Sequence, residues 1–281
     1  MARSIDPHDP QPKAVRGFIP ARTDEERYLM RHIEDLARTA FSREIARYSG
    51  FLSDREQDLA RAALGRADIE EGFRFEGGWP QAERRILCLE PEYSYGENPI
   101  RCVRLQCRAL PGAALPAHKD YLGSLMGLEL KREALGDIVL PEDQPGTAYV
   151  FALEPAAQLI CRELFQAGHT ELTTELLEPD EIPSFPQARR ELRSATVSSL
   201  RLDAVLAAML RCSRGQACEL IAAGRVEINH LPAEKPHAPV YEGDVFTVRG
   251  KGRFGLTALP GKAKKTGRSS NFFNIKSNGR K

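Results

Sequence analysis

The residues with the clearest chemistry in this sequence are eight arginines and lysines between positions 199 and 253. A unit of about sixty residues has a small core that cannot take in charged side chains, so these must face solvent. Together they could form a contiguous basic face suited to phosphates spaced along a backbone. The eight residues are Arg201, Arg211, Arg214, Arg225, Lys235, Arg249, Lys251 and Arg253.

The charges of the two signs are segregated along the chain, although the net charge is only +1. Residues 196–281 carry 15 Lys and Arg against 6 Asp and Glu, a net of +9. The totals are 40 basic and 39 acidic residues, so residues 1–195 carry 25 against 33, a net of −8. No acidic residue follows Asp244. This asymmetry indicates a polyanionic partner for the C-terminal third.

The sequence carries none of the patterns that mark a catalytic or metal-binding site. It has no GxSxG, P-loop or GxGxxG motif. Its six cysteines include no CxxC pair, and no His or Cys lies at ligand spacing from His118. We therefore predict no catalytic residue, no metal and no cofactor, and we expect the cysteines to be reduced core residues.

No stretch of the sequence predicts export or membrane insertion. The N-terminal MARSIDPHDPQPK lacks the apolar run of a signal peptide, and no later segment reaches the roughly eighteen apolar residues of a membrane span. The composition, with 42% hydrophobic and 28% charged residues, is that of an ordinary globular protein. We expect a cytoplasmic, monomeric protein without membrane contact.

Two short amphipathic helices and a set of strands must position the basic residues. An apolar stripe from Leu202 to Leu210 predicts the first helix. Ser213, with Gln216 three residues later, predicts a capping box for a second helix that Gly224 ends. Strands are predicted on either side of the turn signal at residues 242–244.

Hydrophobic patterning along the rest of the chain predicts an α+β protein. Strand patterns that include ERRILCLEP and IRCVRLQCR alternate with helical ones, as in a ferredoxin-type sandwich. The predicted segments are a flexible leader over 1–20, a small helical N-terminal unit over 21–71, an α/β sandwich of the ferredoxin or RRM type over 72–178, a linker over 179–198, the basic helix-and-strand unit over 199–260 and a basic tail over 261–281.

One helix of the middle domain carries further candidates. Gly123 and Gly127, four residues apart, are expected to let this helix approach the sheet closely. Lys131 and Arg132, directly after the helix, could add a second contact with a nucleic acid such as RNA, besides the basic face. A solvated helix end is the commoner role of such charges.

The stretch SLRLDAVLAAMLRCSRGQACELIAAGRVEINH, followed by VYEGDVFTV, resembles the S4 RNA-binding domain, also called the αL motif. The shared pattern is RLD, then SR-x-x-A-x-x-LI-x-x-G-x-V-x-N, then GD and a hydrophobic strand. His230 departs from it, since glycine often follows the Asn in such domains. The resemblance implies RNA contacts from the two helices and the following loop, at Arg201, Ser213, Arg214, Gln216, Arg225, Asn229 and Lys235; Lys251 and Arg253 of the basic face complete the predicted RNA-binding set.

The middle segment HKDYLGSLMGLELKRE is similar to the hallmark of the YlmH-type bacterial proteins, and FLSDREQ and WPQAERRILCLEP extend the likeness over nearly the whole chain. These proteins combine a small N-terminal unit, a sheet domain and a C-terminal S4 domain. The resemblance implies a non-enzymatic protein that binds ribosomal RNA and transfer RNA on the large ribosomal subunit, in quality control of stalled translation. Genes of the family often lie beside cell-division genes.

Two other functions stay open from the sequence. One alternative is an RNA-modifying enzyme of the pseudouridine-synthase type, with its active site within 72–178. Separately, an RLD tripeptide like the one that ends at Asp203 also surrounds the catalytic aspartate of those synthases. Here a helix, AVLAAM, follows Asp203, so we expect this residue to stabilise the helix start or to orient a neighbouring arginine. The other alternative is a cell-division-linked adaptor. For RNA binding, Arg214→Glu is predicted to abolish association and to leave the fold intact.

Overall fold

The computed structural model describes residues 18, 20–108, 114–186, 191–197, 199–257 and 268–275. The predicted flexible leader lies outside these residues, apart from positions 18 and 20, and so does the predicted basic tail, apart from 268–275. The chain divides into two compact units, one over residues 18–188 and one over residues 189–276.

The first unit begins with helices α1 (Asp24–Arg43) and α2 (Asp54–Arg66). Both helices start at side-chain caps. The hydroxyl of Thr23 accepts from the Glu26 backbone, and Ser53 forms a capping box with Glu56. These local signals therefore fix where each helix begins.

A small antiparallel sheet packs against these helices. It contains β1 (Arg47–Tyr48), β2 (Phe73–Glu76) and β3 (Ile86–Leu89) in the order β1-β3-β2. The predicted ERRILCLEP strand therefore belongs to this small sheet and not to the middle sheet. All four residues of β3 are buried. An apolar run of that kind has no polar face to indicate which neighbours it pairs with.

The middle sheet has the ferredoxin-type topology that the alternating pattern predicts, and the α+β class is confirmed. Its elements in chain order are β4 (Ile100–Cys107), α3 (His118–Gly127), β5 (Leu135–Val139), β6 (Thr147–Leu153), α4 (Glu154–Glu163), β7 (Gln166–Ala167) and β8 (Thr170–Leu177). The strands are antiparallel in the order β5-β6-β4-β8-β7. Without the short edge strand β7 this is a split βαβ arrangement. Helices α3 and α4 bury one face of the sheet, with Tyr121, Leu125 and Ile160 in the core.

The opposite face of the middle sheet is also buried by the first unit itself. Tyr149 and Phe151 of β6 are 4% and 0% exposed. The ring of Trp79 stacks on Phe151 at a centroid distance of 6.4 Å, and Phe185 meets Tyr149 edge-on at 5.0 Å. The Trp79 indole N–H donates to the Asp137 carboxylate at 3.1 Å. The part of this face around Tyr149 and Phe151 is therefore closed to solvent, whereas Arg104 on the neighbouring strand β4 is 39% exposed.

The two glycines of α3 do not have the packing role that their spacing suggested. A Cβ atom placed on Gly123 or Gly127 would meet no atom within 4 Å, and both residues are exposed. The helix instead contacts the core through Tyr121 and Leu125. The four-residue spacing does place the glycines on one helix face, but that face points to solvent.

The cysteines divide by burial, and all six are reduced. Cys88 and Cys102 are fully buried, whereas Cys107, Cys161, Cys212 and Cys218 are partly exposed. Burial raises the pKa of the Cys88 thiol to about 11 and that of Cys102 to about 12. The expectation of reduced core cysteines thus holds in full for these two residues.

The second unit is a six-stranded antiparallel sheet with two helices. Its elements are β9 (Glu191–Val197), α5 (Leu202–Leu210), α6 (Arg214–Ala222), β10 (Val226–Ile228), β11 (Leu231–Pro232), β12 (Val245–Val248), β13 (Gly252–Thr257) and β14 (Arg268–Ile275). The strand order is β11-β10-β12-β13-β14-β9. Leu202, Leu206 and Met209 of α5 join Phe246 and Val248 of β12 in one core.

Two strands of this sheet come from segments outside the predicted unit over 199–260. Residues 191–197 fall within the predicted linker and residues 268–275 within the predicted basic tail, yet β14 pairs with β13 on one side and with β9 on the other. Strand pairing between segments about seventy residues apart leaves no local signal in a sequence. The helix-and-strand unit is consequently larger than the predicted 199–260.

Candidate nucleic-acid interface

The start of α5 holds a buried carboxylate between two arginines. Asp203 has 8% of its side chain exposed, whereas the side chains of Arg201 and Arg214 are 47% and 52% exposed. Arg201 donates from Nε and Nη2 to the two Asp203 oxygens at 3.2 and 3.1 Å. The Nη2 atom of Arg214 lies 3.1 Å from Asp203 Oδ2. One carboxylate thus joins the arginine that precedes α5 to the first arginine of α6.

The environment keeps this carboxylate ionised. Burial raises the pKa of Asp203, but Arg214, the Ala204 backbone N–H at 2.9 Å and Arg201 together outweigh it, so the pKa lies below its ordinary value. The expectation that Asp203 orients a neighbouring arginine is confirmed, and it orients two. A glutamate at position 214 would face this buried carboxylate, so Arg214→Glu would also strain the fold, contrary to the sequence-based prediction.

Ser213 and Gln216 form the predicted capping box at the start of α6. The Ser213 hydroxyl accepts from the Gln216 backbone N–H at 3.2 Å, and the Gln216 side-chain oxygen accepts from the Ser213 N–H at 3.0 Å. This box fixes the first turn of α6, and with it the position of Arg214. Both residues are exposed, but a structural role already accounts for their types.

A second group of cations lies at one end of the sheet. Arg225 immediately precedes β10, and its Nη2 donates to the carbonyl of Arg249 at 2.9 Å. Arg249 and Lys251 belong to the exposed turn between β12 and β13. Gly224 follows α6 at φ +63°, a left-handed conformation that glycine adopts without strain, and so directs the chain into β10. The three basic side chains are all exposed.

Asn229 serves the fold rather than the exposed cationic surface. Its amide nitrogen donates to Asp244 Oδ1 at 2.9 Å, and its side-chain oxygen accepts from the Val245 N–H at 2.8 Å. Asp244, 1% exposed, also accepts from the Tyr241 N–H at 2.8 Å. The N and GD elements of the S4 pattern are thus joined to each other. His230 takes φ +64°, so the departure from glycine keeps the left-handed turn.

The remaining predicted residues occupy separate places. Lys235 is exposed in the segment that covers the start of α5, where the Asp203 N–H donates to the Pro236 carbonyl at 2.8 Å. Arg253 on β13 is half-buried, and its Nη2 lies 3.3 Å from His230 Nε2. The structure therefore brings together Arg201 with Arg214, and Arg225 with the β12–β13 turn.

The second candidate contact lies in the other unit. Lys131 is 83% exposed, and its Nζ is 3.9 Å from Glu133. Arg132 donates to the Leu135 carbonyl at 3.1 Å, and its own carbonyl accepts from Arg84. Arg132 is therefore engaged in the fold, while Lys131 extends into solvent. RRM domains stack bases on a sheet face, and here Trp79 and Phe185 cover the part of that face that carries Tyr149 and Phe151.

Within the described ranges no group of three or more His, Cys, Asp or Glu residues could hold a metal ion. In that same part of the chain no helix is both long and apolar enough to cross a bilayer. The sequence predicted that Asp203 could orient a neighbouring arginine, but not that it joins two helices. The signal that could have found it is the conjunction of RLD with SR, in which the acidic residue stands eleven positions before Arg214.

Known proteins are similar to this chain over its C-terminal helices and over most of its length. Residues 200–246 match the S4 domain family. The chain is 37% identical over 216 residues to the ribosome-associated protein quality control protein P2 of Bacillus subtilis (strain 168), covering 76% of this chain and 82% of that protein. Among solved structures it is similar to the cell division protein YlmH from Streptococcus pneumoniae, with a TM-score of 0.47 and 14% identity over 59% of this chain and 100% of that chain.

Proposed function

The chain belongs to the family of the ribosome-associated protein quality control protein P2, and from this premise we propose that it is a non-enzymatic, ribosome-associated RNA-binding protein. Its S4 unit binds structured RNA through the α5 and α6 surface. The observation that carries this proposal is the Arg201–Asp203–Arg214 cluster, which lies inside the segment that matches the S4 domain.

The charge distribution supports the same conclusion. The segment from 196 to the C-terminus has a net charge of +9, and phosphate contacts dominate affinity for nucleic acids. Five exposed cations fall in two groups on one small unit: Arg201 with Arg214, and Arg225 with Arg249 and Lys251. Two groups allow contact with more than one phosphate of a folded RNA. Binding will therefore weaken steeply as salt rises.

A more specific proposal concerns which RNA the protein binds. The RNA is ribosomal RNA of the large subunit together with transfer RNA, and the protein acts in the cytoplasm on stalled translation, as a monomer. The name of the Bacillus relative, which specifies ribosome association and quality control, supports this choice. Lys131, exposed in the first unit, is proposed as a second contact.

The test is sedimentation of the full chain with purified bacterial ribosomal subunits across a salt series. We expect salt-sensitive co-migration with the large subunit, and at least about a tenfold loss of affinity when Arg201 and Arg214 are both changed to Gln. Arg38→Gln is the matched control, because Arg38 is an exposed arginine, 74% accessible, on α1 of the other unit. Absence of the wild type from every ribosomal fraction, or an equal loss in the control, would contradict the proposal.

A further inference from the structure

We propose that Asp203 is a positioning residue that holds Arg201 and Arg214 as a preformed clamp for one phosphate group of the bound RNA. This inference rests on the proposed RNA-binding function and assigns a role to an acidic side chain inside a basic surface. An acidic residue would ordinarily weaken the binding of a polyanion. Its burial and its contacts indicate why it stands there.

The first step concerns the geometry of the cluster. Asp203 lies beneath the surface with 8% of its side chain exposed, while the arginines above it are about half exposed. Arg201 reaches the carboxylate through Nε and Nη2, a two-point contact that fixes the plane of its guanidinium. Arg214 reaches the same Asp203 Oδ2 atom from the other helix. Both guanidiniums therefore converge on one point.

The second step concerns what the arginines can still donate. A guanidinium has five N–H donors. The contacts to Asp203 take two from Arg201 and one from Arg214. The other donors belong to half-exposed groups, and guanidinium geometry suits the paired oxygens of a phosphate. A clamp already assembled does not lose as much side-chain entropy on binding as two mobile arginines would.

The third step concerns the supporting structure. The Ala204 N–H donates to Asp203 Oδ1, and the Asp203 N–H itself donates to the Pro236 carbonyl, so main chain on both sides fixes the carboxylate. The capping box of Ser213 and Gln216 sets the first turn of α6, where Arg214 lies. The starts of both helices are thereby held around a single carboxylate.

The decisive variant is Asp203→Asn, because positioning and simple electrostatics predict opposite signs. The substitution removes one negative charge, so charge alone predicts tighter RNA binding. Positioning predicts an affinity about tenfold weaker, with a salt dependence no shallower than in the wild type, since no arginine is lost. Glu219→Gln is the matched control: it removes the same charge from an exposed position on α6, and it should bind at least as tightly as the wild type.

The measurement is the anisotropy of a fluorescein-labelled, mixed-sequence RNA hairpin titrated with the full chain at several salt concentrations. Arg214→Lys is the second variant, in case Asp203→Asn fails to fold. It keeps the charge but loses the planar fork, and we expect it to bind about fivefold more weakly with an unchanged salt slope.

The outcomes separate the two proposals. If the wild type does not bind RNA at all, the proposed function fails and the clamp fails with it. If the wild type binds, and Arg201→Gln with Arg214→Gln abolishes binding while Asp203→Asn or Arg214→Lys binds as tightly as the wild type, the function stands and the clamp is wrong. Weaker binding by Asp203→Asn with normal binding by Glu219→Gln supports the clamp.

Discussion

At the scale of single residues, the arrangement of arginines on the basic surface of the S4 unit depends on one acidic side chain, Asp203. Apart from the half-buried Arg253, the basic residues predicted to face solvent are exposed, and two of them are held by Asp203. Ser213, Gln216 and Asn229, predicted as RNA contacts, have structural roles as capping and turn residues. A motif of this kind can therefore report the fold as much as the ligand.

The pKa of Asp203 gives a prediction on stability. Because its folded-state pKa is lowered, the carboxylate contributes stability above its unfolded pKa of about 3.9, and the contribution is lost as the pH falls through the lower, folded value. The difference in unfolding free energy between wild type and Asp203→Asn should therefore be constant near neutral pH and should shrink below about pH 4. Urea titrations at several pH values measure it, and a difference that grows in acid would contradict this assignment.

At the scale of secondary-structure elements, two glycines with equally open surroundings but different backbone conformations provide a test of what glycine contributes at each position. A Cβ atom added to Gly123 in α3 or to Gly224 after α6 would meet no atom within 4 Å, but Gly224 has φ +63° and Gly123 is helical. Gly123→Ala should raise the free energy of unfolding of its unit by about 1 kcal/mol, because glycine is a poor helix former. Gly224→Ala should lower it by about 1 kcal/mol, because alanine is strained at positive φ.

Chemical denaturation of the full chain, monitored by circular dichroism, tests both glycine variants. Their opposite signs exclude a general effect of adding a methyl group. A destabilising Gly123→Ala would restore the packing role that the glycine spacing suggested for α3.

At the scale of the whole molecule, the second unit is completed by segments on both sides of the S4 pattern. Strand β14 lies between β13 and β9, so a chain that ends at residue 260 would leave β9 without a strand partner and β13 paired only with β12. We expect such a chain to lower the thermal midpoint of this unit by at least about 5 °C. A chain that ends at residue 276 keeps β14 and is the control. Equal midpoints for the 260 chain and the full chain would argue against a contribution from this strand.

The sequence by itself determined the basic residues, both S4 helices with the capping box of the second, the α+β class and the family. These features are local, since a cap, an apolar stripe or a short motif is complete within a few turns of chain. The tertiary structure alone decided that β3 pairs with β1, that β14 pairs with β9, and that Asp203 joins α5 to α6. The strand partners are distant in sequence, and the contact of Asp203 with Arg214 requires α5 and α6 to be placed against each other. The energy of such contacts is set by packing across the sheet or between helices rather than by the residues of either segment.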